Sequence, residues 1–514
     1  MADFKTIFKR FTNILLVLSI LLRIYIHTYP SLTPELCSWD DKQQNHLSEK
    51  ITDIFRIEKS PNFKTVAEKL NIKYLKTYLT DVYETMLNKK SAESKTIHNK
   101  YKNPRFLLFG DPQIKGNWKN TPILKKLDTF GNDYYLGHIF NTMFKRLKPD
   151  FSIVMGDLFS SQWISDDEFY NRTARYIKRV FPGAMPLNVE RIEELKKNNP
   201  ADDGINYKTN WVKFADKTIH AINNDKESLN FDMGDDVYRW TDKDSCMFIN
   251  MTGNHDIGYS GDITYQHMSR FTDMFGKDNF VLHYNRGKPN SYRIVNLNSM
   301  LIEGPGLEEE LVQTTWEFLY QLFEEKFEGT TVLLQHIPMY KPNGLCVDGP
   351  DTRFYPLDYE KETYKQGLMR SQNHLSMETT DKIMNLLFHN GKPGIILTGH
   401  DHYGCDVIYN RYSSKMKDNA QGLAISHWKA SSKVDSKSNN KQFTGEVVQE
   451  ITVRSMMGDF DGATGLLEMK FNHNYDSFDF VYKECVFAVQ HVWWITMVTN
   501  ILVILLISIR TLFF

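Results

Sequence analysis

Five short apolar runs stand out along a chain that is otherwise mixed in character: RFLLFG (105–110), DFSIVMG (150–156), CMFINMTG (246–253), TTVLLQ (330–335) and PGIILTG (393–399). Runs of this length, rich in β-branched and aromatic residues and closed by glycine or a polar residue, predict strands buried on both faces. Between several of them the period changes to that of a helix, as in EEELVQTTWEFLYQLFEEKF (308–327) and TTDKIMNLLFHN (379–390). Apolar strands alternating with amphipathic helices predict an α/β layered fold. Later, GLAIS (422–426) and ITVRSMMGDFDGATGLLEMKF (451–471) read as extra strands that complete a second sheet. The stretch 165–245 is polar and partly helical, as in NVERIEELKKNN (188–199), and reads as an insertion serving as a lid or membrane-facing element.

The two ends follow a different pattern. ILLVLSILLRIYIHTY (14–29) is apolar apart from Arg23 and His27, and VWWITMVTNILVILLISI (492–509) carries no charge. The second is long enough to cross a bilayer, with Trp493 and Trp494 where interfacial aromatics belong. The first reads as a retained anchor rather than a cleaved signal, because no small-residue cleavage site follows it. Lys5, Lys9, Arg10 and Arg510 place both termini in the cytosol. This predicts a stub and anchor over 1–34, a helix-leaning lumenal linker over 35–100, a catalytic domain over 101–480 and a C-terminal transmembrane helix and tail over 490–514.

Composition narrows the function. Among 514 residues, 62 basic against 63 acidic side chains give a net charge of −1, so no global footprint for nucleic acid is present. Five cysteines are too few for a small disulfide scaffold. A lumenal domain permits disulfides. Cys37 lies just beyond the first span and Cys485 just before the last, and a bridge between them would tie the membrane segments together. Cys346 and Cys405 both follow candidate site residues and are a second candidate pair; five free thiols is the alternative. Of two glycosylation sequons, Asn171 is the candidate, since Asn250 falls within an apolar strand.

The strand ends carry the chemistry. They deliver Asp111 with Gln113, Asp157, Asn254 with His255, His336, and His400 with His402. Gaps of 46, 97, 82 and 64 residues separate Asp111, Asp157, Asn254, His336 and His400. No single helix gathers residues so far apart, whereas a sheet does so at the C-terminal ends of its strands. Carboxylate, amide oxygen and imidazole together suit a pair of divalent first-row metals, and one shared carboxylate can clamp both for phosphoryl displacement. Glycines before Asp111, Asp157, Asn254 and His400 would let these loops turn sharply and approach closely.

The ordered set GD…GD…GNHD…H…GHxH over residues 105–480 resembles the calcineurin-like metallophosphoesterases. The resemblance implies a layered β-sandwich metallophosphoesterase fold, here flanked by N- and C-terminal transmembrane helices. GNHDIG, LLQHIPMY, GHDHYGC and the flanking spans look like the branch that remodels GPI anchors in the endoplasmic reticulum. GDPQ and GDLFSSQWI look like its fungal members. That branch removes ethanolamine phosphate from a mannose of the GPI glycan, for the fungal members the second mannose, and so licenses export of GPI-anchored proteins. Carried over, the resemblance implies that Asp111 and His402 hold one metal, that Asn254, His336 and His400 hold another, and that Asp157 bridges them. A metal-activated water would attack phosphorus in line, and His255 would stabilise the transition state or protonate the leaving group. The superfamily usually has Asp-x-His at the first motif, where this chain has Asp111-Pro112-Gln113. Gln113 is then a neutral oxygen ligand or a neighbour of the ligands, which favours Mn²⁺ over Zn or Fe. GPI-anchored proteins as substrate, ER membrane lipid and p24-type cargo receptors are the implied partners. The same chemistry on another lumenal phosphoester, and a non-catalytic trafficking adaptor, are the competing readings.

Overall fold

The computed structural model describes residues 2–32, 34–39, 103–184, 211–232, 246–413, 426–432, 447–486 and 490–513. Nearly all of the 35–100 linker, the 188–199 helix and all of GLAIS except Ser426 lie outside the described residues.

The first sheet has the order β14-β13-β1-β2-β3. β1 (Arg105–Phe109), β2 (Phe151–Val154) and β3 (Met247–Asn250) are parallel, and β13 (Ala463–Asn472) and β14 (Ser477–Val486) join antiparallel on the far side of β1. The second sheet has the order β11-β10-β12-β9-β6-β5-β4. Its parallel centre is β12 (Val447–Thr452), β9 (Gly394–Thr398), β6 (Thr330–Leu334) and β5 (Tyr292–Asn296). β10 (Cys405–Ser413), β11 (Ser426–Ser432) and β4 (Phe280–Tyr284) pair antiparallel at its edges. A short hairpin, β7 (Thr352–Phe354) with β8 (Met369–Gln372), stands apart.

Side-chain alternation explains the layering. Phe106 and Leu108 of β1, Ile153 of β2, Leu334 of β6 and Leu397 of β9 meet in one core between the sheets. Their neighbours Leu107, Phe109, Leu333 and Ile396 point the other way, into the helical layers. Strands buried on both faces need unbroken apolar runs, which is why those five segments stand out. The outer layer of the first sheet includes α3 (Ile123–Leu147), whose Phe140 packs edge-on against Phe109 and Phe248. The outer layer of the second includes α8 (Glu309–Glu324) and α9 (Met377–Leu387), which are bridged by buried Arg293 donating to Leu322 O and Leu387 O.

Two readings of the chain change here. The segment 165–245 is not uniformly an insertion: α4 (Asp166–Arg175) and the turn that follows bury Phe169, Tyr170, Tyr176, Ile177 and Phe181 in the core. Its charges are buried as pairs, Arg172 with Glu168 at 2.9 Å and Arg175 with Asp133 at 2.8 Å, so polarity hides a core element. α5 (Val212–Asn224) follows, and 185–210 and 233–245 lie outside the described residues. The late strands divide between sheets, ITV ending β12 in the second while ATGLLEMKF begins β13 in the first.

α1 (Ala2–Leu32) and α10 (Gln490–Phe513) are long and apolar enough to cross a membrane. They pack on each other through polar contacts: Ser19 Oγ donates to Asn500 Oδ1, and Arg510 Nη1 donates to Asn13 Oδ1 at 3.0 Å. Such contacts favour helix association where water is excluded. The short α2 (Pro34–Cys37) lies against β14, and a Cys37–Cys485 disulfide joins them.

Candidate metal centre

The candidate ligands stand in loops just beyond strand ends: Asp111 after β1, Asp157 after β2, Asn254 after β3, His336 after β6, and His400 and His402 after β9. Asp111 (φ 37°), Gln113 (φ 41°), Asp157 (φ 51°) and His400 (φ 75°) all adopt left-handed backbone. That conformation costs about 1–2 kcal/mol for a residue with a Cβ, and its concentration in one place marks loops held for chemistry. Two glycines permit the approach. A Cβ on Gly253 would fall 2.2 Å from Asp157 N and Oδ1, and one on Gly156 would fall 2.5 Å from His336 Nδ1.

Asp157 is the hub. Donor atoms of Asp111, Asp157 and His402 all lie within 4.8 Å of one another. On the other side, His336 Nε2 lies 3.4 Å from Asp157 Oδ1 and 3.2 Å from Asn254 Oδ1. The His336 and His400 rings are 5.1 Å apart. Two donor groups therefore share one carboxylate. The imidazoles are oriented from behind: His336 Nδ1 meets Met155 O at 2.7 Å and His400 Nε2 meets Gln372 O at 3.0 Å. Each carbonyl demands a ring N–H, which turns the other nitrogen's lone pair inward, as metal-binding histidines require.

The Gln113 amide reaches the same centre, with Nε2 donating to Asp157 Oδ2 at 3.0 Å and 3.2 Å from His402 Nε2. In this orientation Gln113 steadies the hub carboxylate; turning the amide over would put its oxygen before the same groups. His255 donates its backbone N–H to Asp157 Oδ1 at 2.9 Å. Its side chain is 38% exposed, with Nε2 3.8 Å from Asp157 Oδ2. Buried Asp256 accepts from Gly253 N and Phe159 N and so shapes the loop.

Burial pushes His336, His400 and His402 down, His400 to about 3, which favours the neutral, metal-binding form of each ring. Burial and then the neighbouring charge of Asp157 push Asp111 well up. Burial also acts to raise Asp157, but His336, His255 and His400 together outweigh it and hold that carboxyl below its usual value. Neutral imidazoles around an ionised, buried carboxylate are the donor set of a divalent cation.

Several contributors escape a reading by strand ends. Ser299 Oγ accepts from His336 N and Ile337 N, Ser455 Oγ donates to Asp111 O, and the Phe460 ring packs 4.9 Å from that of His402. A Cys346–Cys405 disulfide staples the loop carrying Asp348 beside the ligand turn, where Asp348 N donates to Asp401 Oδ2 at 3.2 Å. The Tyr259 ring lies 6.3 Å from that of His400. Among the described residues, no hydrogen bond or ion pair engages the Asp348 carboxylate. Asn171 is exposed on α4, while Asn250 is buried. His427 lies away from the centre, paired with Asp381.

The calcineurin-like phosphoesterase family model matches residues 104–404. Protein TED1 of Saccharomyces cerevisiae is 45% identical over 506 residues, spanning 96% of this chain and 97% of that protein. An uncharacterized protein of Schizosaccharomyces pombe is 29% identical over 330 residues, 59% of this chain and 63% of that protein. Metallophosphoesterase 1 of Xenopus laevis is 28% identical over 180 residues, 31% of this chain and 42% of that protein. The family match opens one residue before β1 and closes just past His402, and the yeast relative extends the likeness over nearly the whole length. This chain belongs to the calcineurin-like phosphoesterase family.

Proposed function

We propose that this chain is a membrane-tethered, dinuclear-metal phosphodiesterase of the endoplasmic reticulum. Its substrate is the GPI-anchor glycan, from a mannose of which, the second, it removes ethanolamine phosphate. The catalytic domain is lumenal and both termini are cytosolic. The observation that carries the chemistry is the convergence of Asp111, His402, His336 and Asn254 on the buried Asp157 carboxylate. Asp111, Asp157 and His402 would hold one ion and Asp157, Asn254, His336 and His400 the other, with Mn²⁺ suited to this donor set. Bound ions would polarise the phosphoryl oxygens and lower the pKa of a water at the site.

The chain's own groups do the rest. His255 stands half-exposed at the mouth, placed to give a proton to the mannose oxygen as the P–O bond breaks. Met155 O and Gln372 O keep the two imidazoles turned inward throughout. Asp348 supports the substrate class. A carboxylate beside a phosphoester site repels most phosphoesters, but an ammonium carried on the substrate reverses the sign, and ethanolamine phosphate carries one. The motif resemblance supplies the glycan. Turnover would promote export of GPI-anchored proteins, with p24-type cargo receptors acting on the product.

The test is structural analysis of GPI glycans from cells expressing the wild-type protein or His255→Ala at matched levels. Ethanolamine phosphate retained on one mannose in the variant is the expected result. Unchanged glycans would sink the assignment.

A further inference from the structure

α3 leans on both membrane helices where they meet the folded domain. Its Tyr135 ring lies 6.0 Å from Trp493's, Gln490 Nε2 donates to Asn132 Oδ1 at 3.5 Å, and the Trp494 ring lies over Gly131, where any Cβ would collide with it. His138 meets Ile26 O at 3.0 Å and the His27 ring at 4.8 Å. Toward the N-terminus of α3, Ile123, Leu124, Leu127, Phe130 and Tyr134 are exposed, Ile123 by 76% and Leu124 by 80%. At 3.6 residues per turn, these positions and 131, 135 and 138 fall within one arc of the helix. The face that rests on the spans therefore continues outward as an uncovered apolar stripe about 16 Å long. Lys126 lies along one edge and Asp128 along the other, Lys119 precedes the helix, and Arg179 reaches over Phe130 and Tyr134 at its inner end. An exposed apolar stripe continuous with two membrane helices, bordered by charged side chains, has the character of an interfacial helix.

We infer that the N-terminal half of α3 lies in the bilayer interface as a third membrane contact, its apolar stripe among the lipids of the leaflet from which both spans emerge. This rests on reading α1 and α10 as spans and needs no catalytic assignment. The stripe also lies near the chemistry. Phe460 packs on His402, and two residues before it Gly458 lies against Gln490, the first residue of α10. A helix seated in the interface would hold the site at the membrane surface, where the phosphoester of a lipid-anchored substrate stands.

The test uses the full chain in nanodiscs of phosphatidylcholine with phosphatidylserine and doxyl-labelled phosphatidylcholine. A fluorophore is attached at Leu124→Cys or Leu127→Cys, with Ile501→Cys in α10 as the lipid reference and Tyr475→Cys on the β13–β14 turn as the water reference. Cys246, which is in neither disulfide, is buried. Labels at 124 and 127 should lose about half their emission to doxyl lipid, as at 501, and little to aqueous iodide. Quenching by iodide alone, as at 475, overturns the inference. Protection from both quenchers also overturns it, because a protein then covers the stripe. A label at 501 that doxyl lipid fails to quench would bring down the span reading and this inference with it.

Discussion

Gly156 is where backbone conformation and metal chemistry meet most directly. It precedes Asp157 at φ 91°, and a Cβ there would stand 2.5 Å from His336 Nδ1 and 2.8 Å from Thr252 O. Gly156→Ala therefore brings two costs. The left-handed backbone costs about 1–2 kcal/mol for alanine. The collision pushes His336 off Met155 O, and a buried polar group stripped of its partner costs about 1–3 kcal/mol more. Together the loss is about 2–5 kcal/mol. Because His336 is turned by that hydrogen bond, Mn²⁺ affinity should fall by about 10- to 100-fold, as for other supports of metal ligands.

Gly183→Ala supplies the comparison. Gly183 also has positive φ, 79°, but no heavy atom lies within 4 Å of a Cβ built there. It should lose the backbone term alone, about 1–2 kcal/mol, and leave Mn²⁺ affinity untouched. Thermal unfolding and Mn²⁺ titration calorimetry on the full chain in detergent measure both quantities. If Gly156→Ala matches Gly183→Ala in stability and in metal affinity, the account of how His336 is held is refuted.

Two further outcomes follow from other groups. Burial first, and then Arg270 and Lys341 respectively, push His267 to about 3 and His374 to about 4. Both bind protons more readily when unfolded, so their contribution is complete above pH 6.5 and is lost as pH falls towards 4; between pH 7 and 5 each should remove about 2 kcal/mol. The melting temperature of His374→Gln should vary less with pH than the wild type over that range, and parallel profiles would refute this. Asp348→Asn should weaken kcat/KM about tenfold for an ethanolamine phosphodiester, the size of one half-exposed contact to a charged group. It should spare a neutral aryl phosphodiester, and equal losses on both would remove Asp348 from substrate selection.

The strand-end residues were legible because each follows an apolar run buried on both faces, so pattern and chemistry sit side by side in the chain. Met155 O and Gln372 O were not, because a backbone carbonyl carries no residue signature and only the fold aims it. The β4–β5 hairpin, FVLHYNRGKPNSYRIVN (280–296), delivers no ligand at its strand ends, so only Asn, Gly and Pro at 285–290 signal it, through its turn. Residues 166–181 read as part of an insertion on their Asp, Glu, Lys and Arg content. The apolar positions 169, 170, 176, 177, 180 and 181 nevertheless keep a helical period, and the charges cancel in buried pairs. Average polarity misleads where ion pairs are internal; periodicity does not.

The metal ligands and the loop that carries Asp348 are held by different means, and the Cys346–Cys405 disulfide reveals the difference. The ligands sit on loops fixed by parallel strands, so the sheets themselves set their geometry. Between β6 and α9 the chain runs through irregular segments and a small hairpin that pairs with neither main sheet. It is instead tied at separate points: Cys346 to Cys405, Asp348 N to Asp401, Lys365 to Asp262 and Glu362, and Gln372 O to His400. The disulfide spans a separation of 59 residues, for which loop-closure entropy contributes about 4 kcal/mol. The same bond fixes the loop bearing Asp348, which lies two residues from Cys346. An oxidising compartment is needed to keep such a bond, which accords with the lumenal placement proposed above. Ligands that follow parallel strands are placed by the sheets, whereas the loop that carries Asp348 is placed by its staple and its separate ties.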